Sequence, residues 1–155
     1  PISHVSGLGH LEGKTVAILA GGAVHPSRKV AGGAIELEEP ADLIIIGLGY
    51  EADLETMPVE GVNQQGASVG RKKQINEINF QFRESVGAKA GVSFERLETI
   101  KWRSDEPYGQ APRPFSGLKS VTVPSLAESQ VSVCLRSDEP TPLTVMAIMA
   151  KIEIK

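Results

Sequence analysis

Lys14-Thr15-Val16-Ala17-Ile18-Leu19-Ala20-Gly21-Gly22-Ala23-Val24-His25-Pro26 reads as a strand, a tight turn and a return strand. Val16 and Ile18 alternate with Ala17 and Leu19, so both faces of the first strand are apolar and both are expected to be covered. Gly21-Gly22 suits a type I′ turn, because that turn needs two successive residues at positive φ. Proline has no amide donor for a ladder, so Pro26 is expected to end the return strand. A further short strand is predicted over residues 28–30, then a second turn at Gly32-Gly33. Ala34-Ile35-Glu36-Leu37 follows with Ile35 and Leu37 inward, and Pro40 is expected to close it. Leu43-Ile44-Ile45-Ile46-Gly47-Leu48 is an unbroken apolar run and reads as a central strand. Residues 51–55 alternate Ala52 and Leu54 with carboxylates, which suits an edge continuation.

Further along, residues 61–70 are polar and glycine-bearing and read as a mobile loop that ends on Arg71-Lys72-Lys73. Ile78-Asn79-Phe80-Gln81-Phe82 has a clean period of two and predicts a strand with one wet face. Ile75 lies three residues before Ile78 and breaks that period, which predicts a bulge or a helical turn. Residues 87–91 read as a loop, residues 94–100 as extended chain continuing through Lys101-Trp102-Arg103, and residues 104–114, with Pro107, Pro112 and Pro114, as a rigid polyproline-like loop. Strands are predicted over 118–123, ended by Pro124, over 131–135, and over 143–155. In the last, Leu143, Val145, Ala147 and Met149 share one face and Thr144, Met146, Ile148 and Ala150 the other, so it too is expected to be covered on both sides.

With 16 Gly and 10 Pro there is little room for long helices. The expected class is mainly β, an antiparallel β-barrel or sandwich of about 8–10 short strands with little helix. A chain of 155 residues is expected to be a single β domain spanning 1–155, and its start at Pro1 suggests a fragment of a larger protein. The 16 basic and 19 acidic residues balance to −3, which lacks the basic excess of a nucleic-acid module. Cys134 is the one cysteine, so no internal disulfide framework is possible, and its place in Val131-Ser132-Val133-Cys134-Leu135 predicts a buried structural thiol. The longest apolar stretch, residues 143–150, is far short of the roughly 20 residues of a membrane helix.

No catalytic, cofactor-binding or metal-binding residue is assigned. His4, His10 and His25 lack the close paired spacing of metal ligands. No serine stands in a G-x-S-x-G frame. Gly7-Leu8-Gly9 and Gly47-Leu48-Gly49 precede no helical pattern and no Gly-Lys-Ser/Thr, so they read as turns. Glu38-Glu39 and the set Glu51, Asp53 and Glu55 read as solvated loop and edge charges, which also discourage strand-to-strand aggregation. Arg71, Lys72 and Lys73 form the one basic cluster, readable as a solvated loop end, an inter-subunit salt bridge or a non-specific contact with a nucleic-acid backbone. Trp102 reads as a core residue or an interface anchor. The interface candidates are Arg71, Lys72, Lys73, Trp102, Tyr108, Pro112 and Pro114, with loops 61–70 and 104–114 as contact surfaces.

Several blocks in order along the chain carry a family likeness. They are the run from Gly7-Leu8-Gly9-His10-Leu11-Glu12-Gly13 through Val16 to Pro26; Gly32-Gly33-Ala34-Ile35-Glu36-Leu37; Ile46-Gly47-Leu48-Gly49-Tyr50-Glu51-Ala52-Asp53-Leu54-Glu55-Thr56-Met57-Pro58; Gly70-Arg71-Lys72-Lys73-Gln74-Ile75; Pro114-Phe115-Ser116-Gly117; and Pro140-Thr141-Pro142-Leu143-Thr144-Val145-Met146-Ala147-Ile148. Together they resemble the C-terminal region of tail tubular, or nozzle-type, proteins of short-tailed bacteriophages and related prophage proteins. In many relatives the first turn reads Asp-Gly where this chain has Gly21-Gly22, a change that keeps the turn chemistry.

The resemblance implies a structural virion protein, not an enzyme and without a cofactor. It would be made in the bacterial cytoplasm and placed in the phage tail. Its partners would be copies of itself in a ring and neighbouring tail proteins, with non-specific contact to passing DNA, no membrane span and no small-molecule substrate. A receptor- or carbohydrate-binding module of a tail is the alternative, and a tail-associated cell-wall hydrolase is a third. The first predicts an aromatic-lined groove, and the second a cleft of clustered carboxylates.

Overall fold

The computed structural model describes residues 1–63, 66–107 and 110–155. Strands make up 55% of the chain and helix 2%, in antiparallel sheets, so the mainly β class follows from the glycine and proline content as expected. Fourteen strands occur among the described residues, more than the composition suggested; two of them are only two residues long. The chain divides into two compact units, residues 1–50, 103–113 and 138–141 in the first and the rest in the second.

Unit 1 carries β1 (Ile2–Ser6), β2 (Thr15–Ala20), β3 (Ala23–Lys29), β4 (Ala34–Ala41) and β5 (Ile44–Gly47), with a single 3-10 turn at Gly9–Leu11. β1 pairs with β4, and β3-β2-β5 form a three-stranded sheet. Val16 and Ile18 of β2 and Ile35 and Leu37 of β4, with Leu8 and Val30 from the connections, bury a small aliphatic core. Gly21 and Gly22 sit at φ 58° and 83°, the conformation the β2–β3 turn demands. β2, not the isoleucine run, is the central strand. Ile44–Gly47 lies at the edge, and Ile45 is exposed.

Two prolines expected to end strands do not. Val16 pairs with Arg28 and Ile18 with His25, so Pro26 and Ser27 together oppose Ala17 in a bulge on the edge strand β3. A bulge on an edge is where a missing amide donor costs least. Arg28 and Lys29 therefore extend β3 instead of starting a new strand, and Val30 lies just past its end. Pro40 likewise lies within β4, where the pairing jumps from His4–Glu36 to Ile2–Ala41 and leaves residues 37–40 out of the ladder.

Unit 2 contains β6 (Ala52–Glu55), β7 (Val62–Asn63), β8 (Gly66–Ala67), β9 (Lys73–Ser85), β10 (Lys89–Ser93), β11 (Arg96–Thr99), β12 (Phe115–Thr122), β13 (Cys134–Ser137) and β14 (Val145–Ile154). One sheet runs β11-β10-β13-β6 and another β12-β9-β14. Ile75, Ile78, Phe80 and Phe82 of β9 bury with Ala90 of β10, Leu135 of β13 and Val121 of β12, so the two sheets share one core, as in a sandwich. Phe80 and Phe82 are almost fully buried and stack with ring centroids 5.6 Å apart. Each contributes up to about 3 kcal/mol of burial.

The break at Ile75 is a bulge: Lys151 faces Glu77 but Ile152 faces Ile75, leaving Asn76 without an opposite residue on β14 and returning Ile75 to the core face. A second bulge leaves Met146 out between the Val145–Phe82 and Ala147–Gln81 pairs. That slip changes the phase of β14, so Val145, Ile148, Ala150 and Ile152 are half-buried while Met146 and Met149 are exposed. β14 is thus an edge strand with one wet face, not the doubly covered strand its apolar content suggested.

Residues expected to form a loop at 87–91 in fact start β10 at Lys89. Gly91 is needed there because a Cβ would lie 2.2 Å from the carbonyl oxygen of Arg96. Phe94 and Glu95 form the turn to β11, and the strand stops at Thr99 without continuing through Trp102. β6 is an edge strand, as its charges suggested, but in unit 2 and not as a continuation of β5.

Candidate functional site

The basic cluster separates by register. Lys73 opens β9 and is fully buried, its Nζ donating to Glu60 Oε1 at 2.7 Å. Ser68 Oγ donates to the other carboxylate oxygen at 2.6 Å and accepts from the Gly61 amide at 2.8 Å. The hydrogen bond from Lys73, then that from Ser68, holds the Glu60 carboxyl below its usual range. Lys73 is thus an internal tie for the segment around Gly61 and Ser68, which corrects its reading as part of a solvated loop end. Lys72 is exposed and Arg71 half-buried, with the Arg71 amide donating to Ser68 O at 3.0 Å. The loop expected at 61–70 carries the short β7–β8 pairing, and Ser68 within it is buried.

Trp102 belongs to the unit 2 core, with its ring 4.9 Å from Phe82 and tilted by 59°. Its Nε1 is the one buried side-chain nitrogen or oxygen without a hydrogen-bond partner among the described residues. The Lys119 ammonium lies 4.4 Å from the Phe115 ring centre and 5.9 Å from that of Trp102, a cation–π cap on the cluster. An interface anchor must present its ring to a partner, and this indole is spent inside the core. Tyr108 lies outside the described residues. Pro112 is half-buried and Pro114 exposed.

Glu106 organises the proline-rich loop. Its carboxylate accepts the Ser104 amide at 3.0 Å and the Arg113 amide at 3.3 Å, while the Arg103 guanidinium donates to Gln110 O at 2.9 Å. These backbone hydrogen bonds, that from Ser104 first, depress the Glu106 pKa. The loop's shape is therefore set by one carboxylate as well as by its prolines. Nothing in the spacing of the sequence marks Glu106 or Glu60 for these roles, since each acts through partners that only the fold brings near.

Of the edge carboxylates, Asp53 stands opposite Arg136 across β6 and β13 and accepts two hydrogen bonds of 2.7 Å, the cause of its lowered pKa. Cys134 is buried on β13, and desolvation followed by the charges of Glu55 and Asp53 pushes its thiol pKa up. This matches a structural thiol, since reactive thiols need the opposite shift. Among the described residues no group of three His, Cys, Asp or Glu side chains is placed to hold a metal ion. His25 is committed elsewhere: its Nδ1–H donates to Pro26 O at 2.8 Å, and Nε2 accepts the Glu38 amide at 3.0 Å, tying β3 to β4.

Unit 1 holds a cleft of about 700 Å³ between the Gly21-Gly22 turn and the Pro40–Leu43 corner, with Val24, Pro26, Glu39 and Ala111 also on its wall. Among the described residues no Phe, Tyr or Trp lines it, and His25 is its one ring-bearing side chain apart from the prolines. Two smaller grooves in unit 2, of about 290 and 370 Å³, share Arg96, Pro124, Ser125 and Leu126. Among the described residues, no helix is long and apolar enough to cross a membrane. No protein-family model matches this sequence, and no curated protein is significantly similar to it.

Proposed function

We propose that this chain is a structural component of a bacteriophage tail, a nozzle, tube or platform module that acts by protein–protein assembly. The observation that carries the reading is the ordered series of sequence blocks resembling tail tubular proteins, which runs from Gly7 to Ile148. The fold is compatible with that role: strand-built units, loops pinned by internal carboxylates, and sheet edges left open at β14 and β12. Open edges and rigid loops dock with little loss of entropy. In this reading the chain meets copies of itself and neighbouring tail proteins in the virion, and a ring arises where head-to-tail contacts close by rotation. The exposed Lys72 remains available for a non-specific contact with passing DNA.

Mass spectrometry of purified phage particles tests the proposal. Peptides of this chain are expected at fixed stoichiometry in the tail fraction, and their absence from intact particles would overturn the reading.

A further inference from the structure

β14 is a ten-residue edge strand that pairs with β9 on one side and has no strand beside it on the other among the described residues. Long open edges invite another strand unless they are blunted by proline, bulges or short length. Several other edges are blunted: β3 carries Pro26 within a bulge, β4 carries Pro40, and β5, β6 and β11 are four residues each, whereas β14 and the shorter β12 stay open. The stretch of β14 from Ala147 to Ile154 has neither proline nor glycine, and its own bulge lies before it at Met146. Its outer face carries Met149, Lys151 and Glu153, all exposed, and its inner face Ala150, Ile152 and Ile154, all half-buried.

The charges select both the occupant and the register. The pleat keeps like faces together, so a second β14 laid antiparallel must place odd-numbered residues opposite odd-numbered ones. A two-fold centred on Lys151 sets lysine against lysine, and one centred on Glu153 sets glutamate against glutamate. Centred on Ile152, it pairs Lys151 with the partner's Glu153 twice over, Ala150 with the partner's Ile154, and Ile152 with itself. The row across the sheets then alternates in sign, because Lys151 already stands beside Glu77 of β9. β12, the other edge of this sheet, has Lys119 as its one charge and no carboxylate to answer it.

We propose that a second copy of this chain docks antiparallel along the free edge of β14, about a two-fold axis at Ile152, held in register by reciprocal Lys151–Glu153 pairs. The proposal rests on the assembly reading above and deepens it by naming one contact. It is isologous, and so differs from the head-to-tail contact that a ring requires.

Light scattering and sedimentation of the 155-residue chain test it. The unmodified chain is expected to dimerise. Lys151→Glu and Glu153→Lys each set like charges opposite one another twice, and each is expected to weaken the dimer about tenfold or more. Mixing the two variants restores two complementary pairs and is expected to give a heterodimer, which also shows that both variants fold. Ile152→Cys is expected to form a disulfide-linked dimer on mild oxidation, since opposed residues in a ladder lie within disulfide reach and the native Cys134 is buried. Assembly that ignores both charge reversals would overturn this contact and leave the assembly reading standing. A chain that stays monomeric, with no cross-link, would overturn the contact and self-assembly by this chain together, whereas presence in the tail is decided separately by the particle analysis.

Discussion

Unit 1 and unit 2 are both antiparallel and strand-built, yet they are held together differently. Among its described residues, unit 1 buries six aliphatic side chains and none larger than leucine or isoleucine. It compensates with turns and local clamps: glycine pairs at 21–22 and 32–33, and the Glu12 carboxylate, which accepts the Gly32 and Gly33 amides at 3.0 and 2.7 Å. Unit 2 buries Phe80, Phe82 and Trp102 between two sheets and corrects the phase of its long strands with bulges. A small core leaves its unit dependent on backbone chemistry, whereas an aromatic core can absorb irregular strands. Sheet register in unit 2 is thus dictated by which side chains must reach the interior.

The sharpest way to break this contrast is to remove its centre. Phe82→Ala is expected to cost about 3–5 kcal/mol in denaturant unfolding followed by Trp102 fluorescence, because it removes contacts to both Phe80 and Trp102 and leaves a cavity. Ile18→Ala is the matching truncation in unit 1, at about 2–4 kcal/mol. If Phe82→Ala proves the cheaper of the two, the aromatic core is not what holds unit 2. Gly91→Ala comes next, at about 2–3 kcal/mol, since a methyl group there forces the β10–β11 backbones apart. A variant as stable as the parent would mean that the close approach of Gly91 to Arg96 does not constrain the hairpin.

Acid separates the units by charge. Asp53, Glu60 and Glu77, all in unit 2, have folded-state pKa values below their ordinary ones, each mainly through side-chain hydrogen bonds; Glu106 is the corresponding group in unit 1. Such groups stay ionised in the folded chain where the unfolded chain has begun to bind protons. Their stabilisation is therefore complete above the ordinary carboxylate range and is lost as pH falls through the lowered folded values. Hydrogen exchange at falling pH is expected to show unit 2 losing protection by the larger increment, and equal losses would remove the distinction. The smallest effect is expected at the clamp: Glu12→Gln weakens two exposed charge-assisted hydrogen bonds and should cost about 1 kcal/mol or less, read as a small fall in unfolding midpoint.

Much of the strand map was legible from local pattern. The Gly21-Gly22 turn, the inward Ile35 and Leu37, the period-two Ile78–Phe82 run, the bulge before it and the buried Cys134 all follow from short-range rules, and the structure has each of them. What went astray shares one cause. Local pattern makes Pro26 and Pro40 strand ends, the isoleucine run central, Lys73 solvated and β14 doubly covered, and the structure has none of these. Each depends on where a strand sits within its sheet or on a partner far along the chain. An edge position forgives a proline, and one extra residue at Met146 inverts the exposure of everything on one side of it.

The sequence by itself therefore determined the β class, the turns and the identity of the inward side chains, because glycine φ, proline's missing amide and the alternation of a pleated strand act within a few residues. Only the tertiary structure decided which strands are edges, which lysine is buried and which charges face outward on β14. Those outcomes rest on pairing between distant segments, for example Lys73 with Glu60 and Asp53 with Arg136, and on bulges whose placement is set by the packing they relieve.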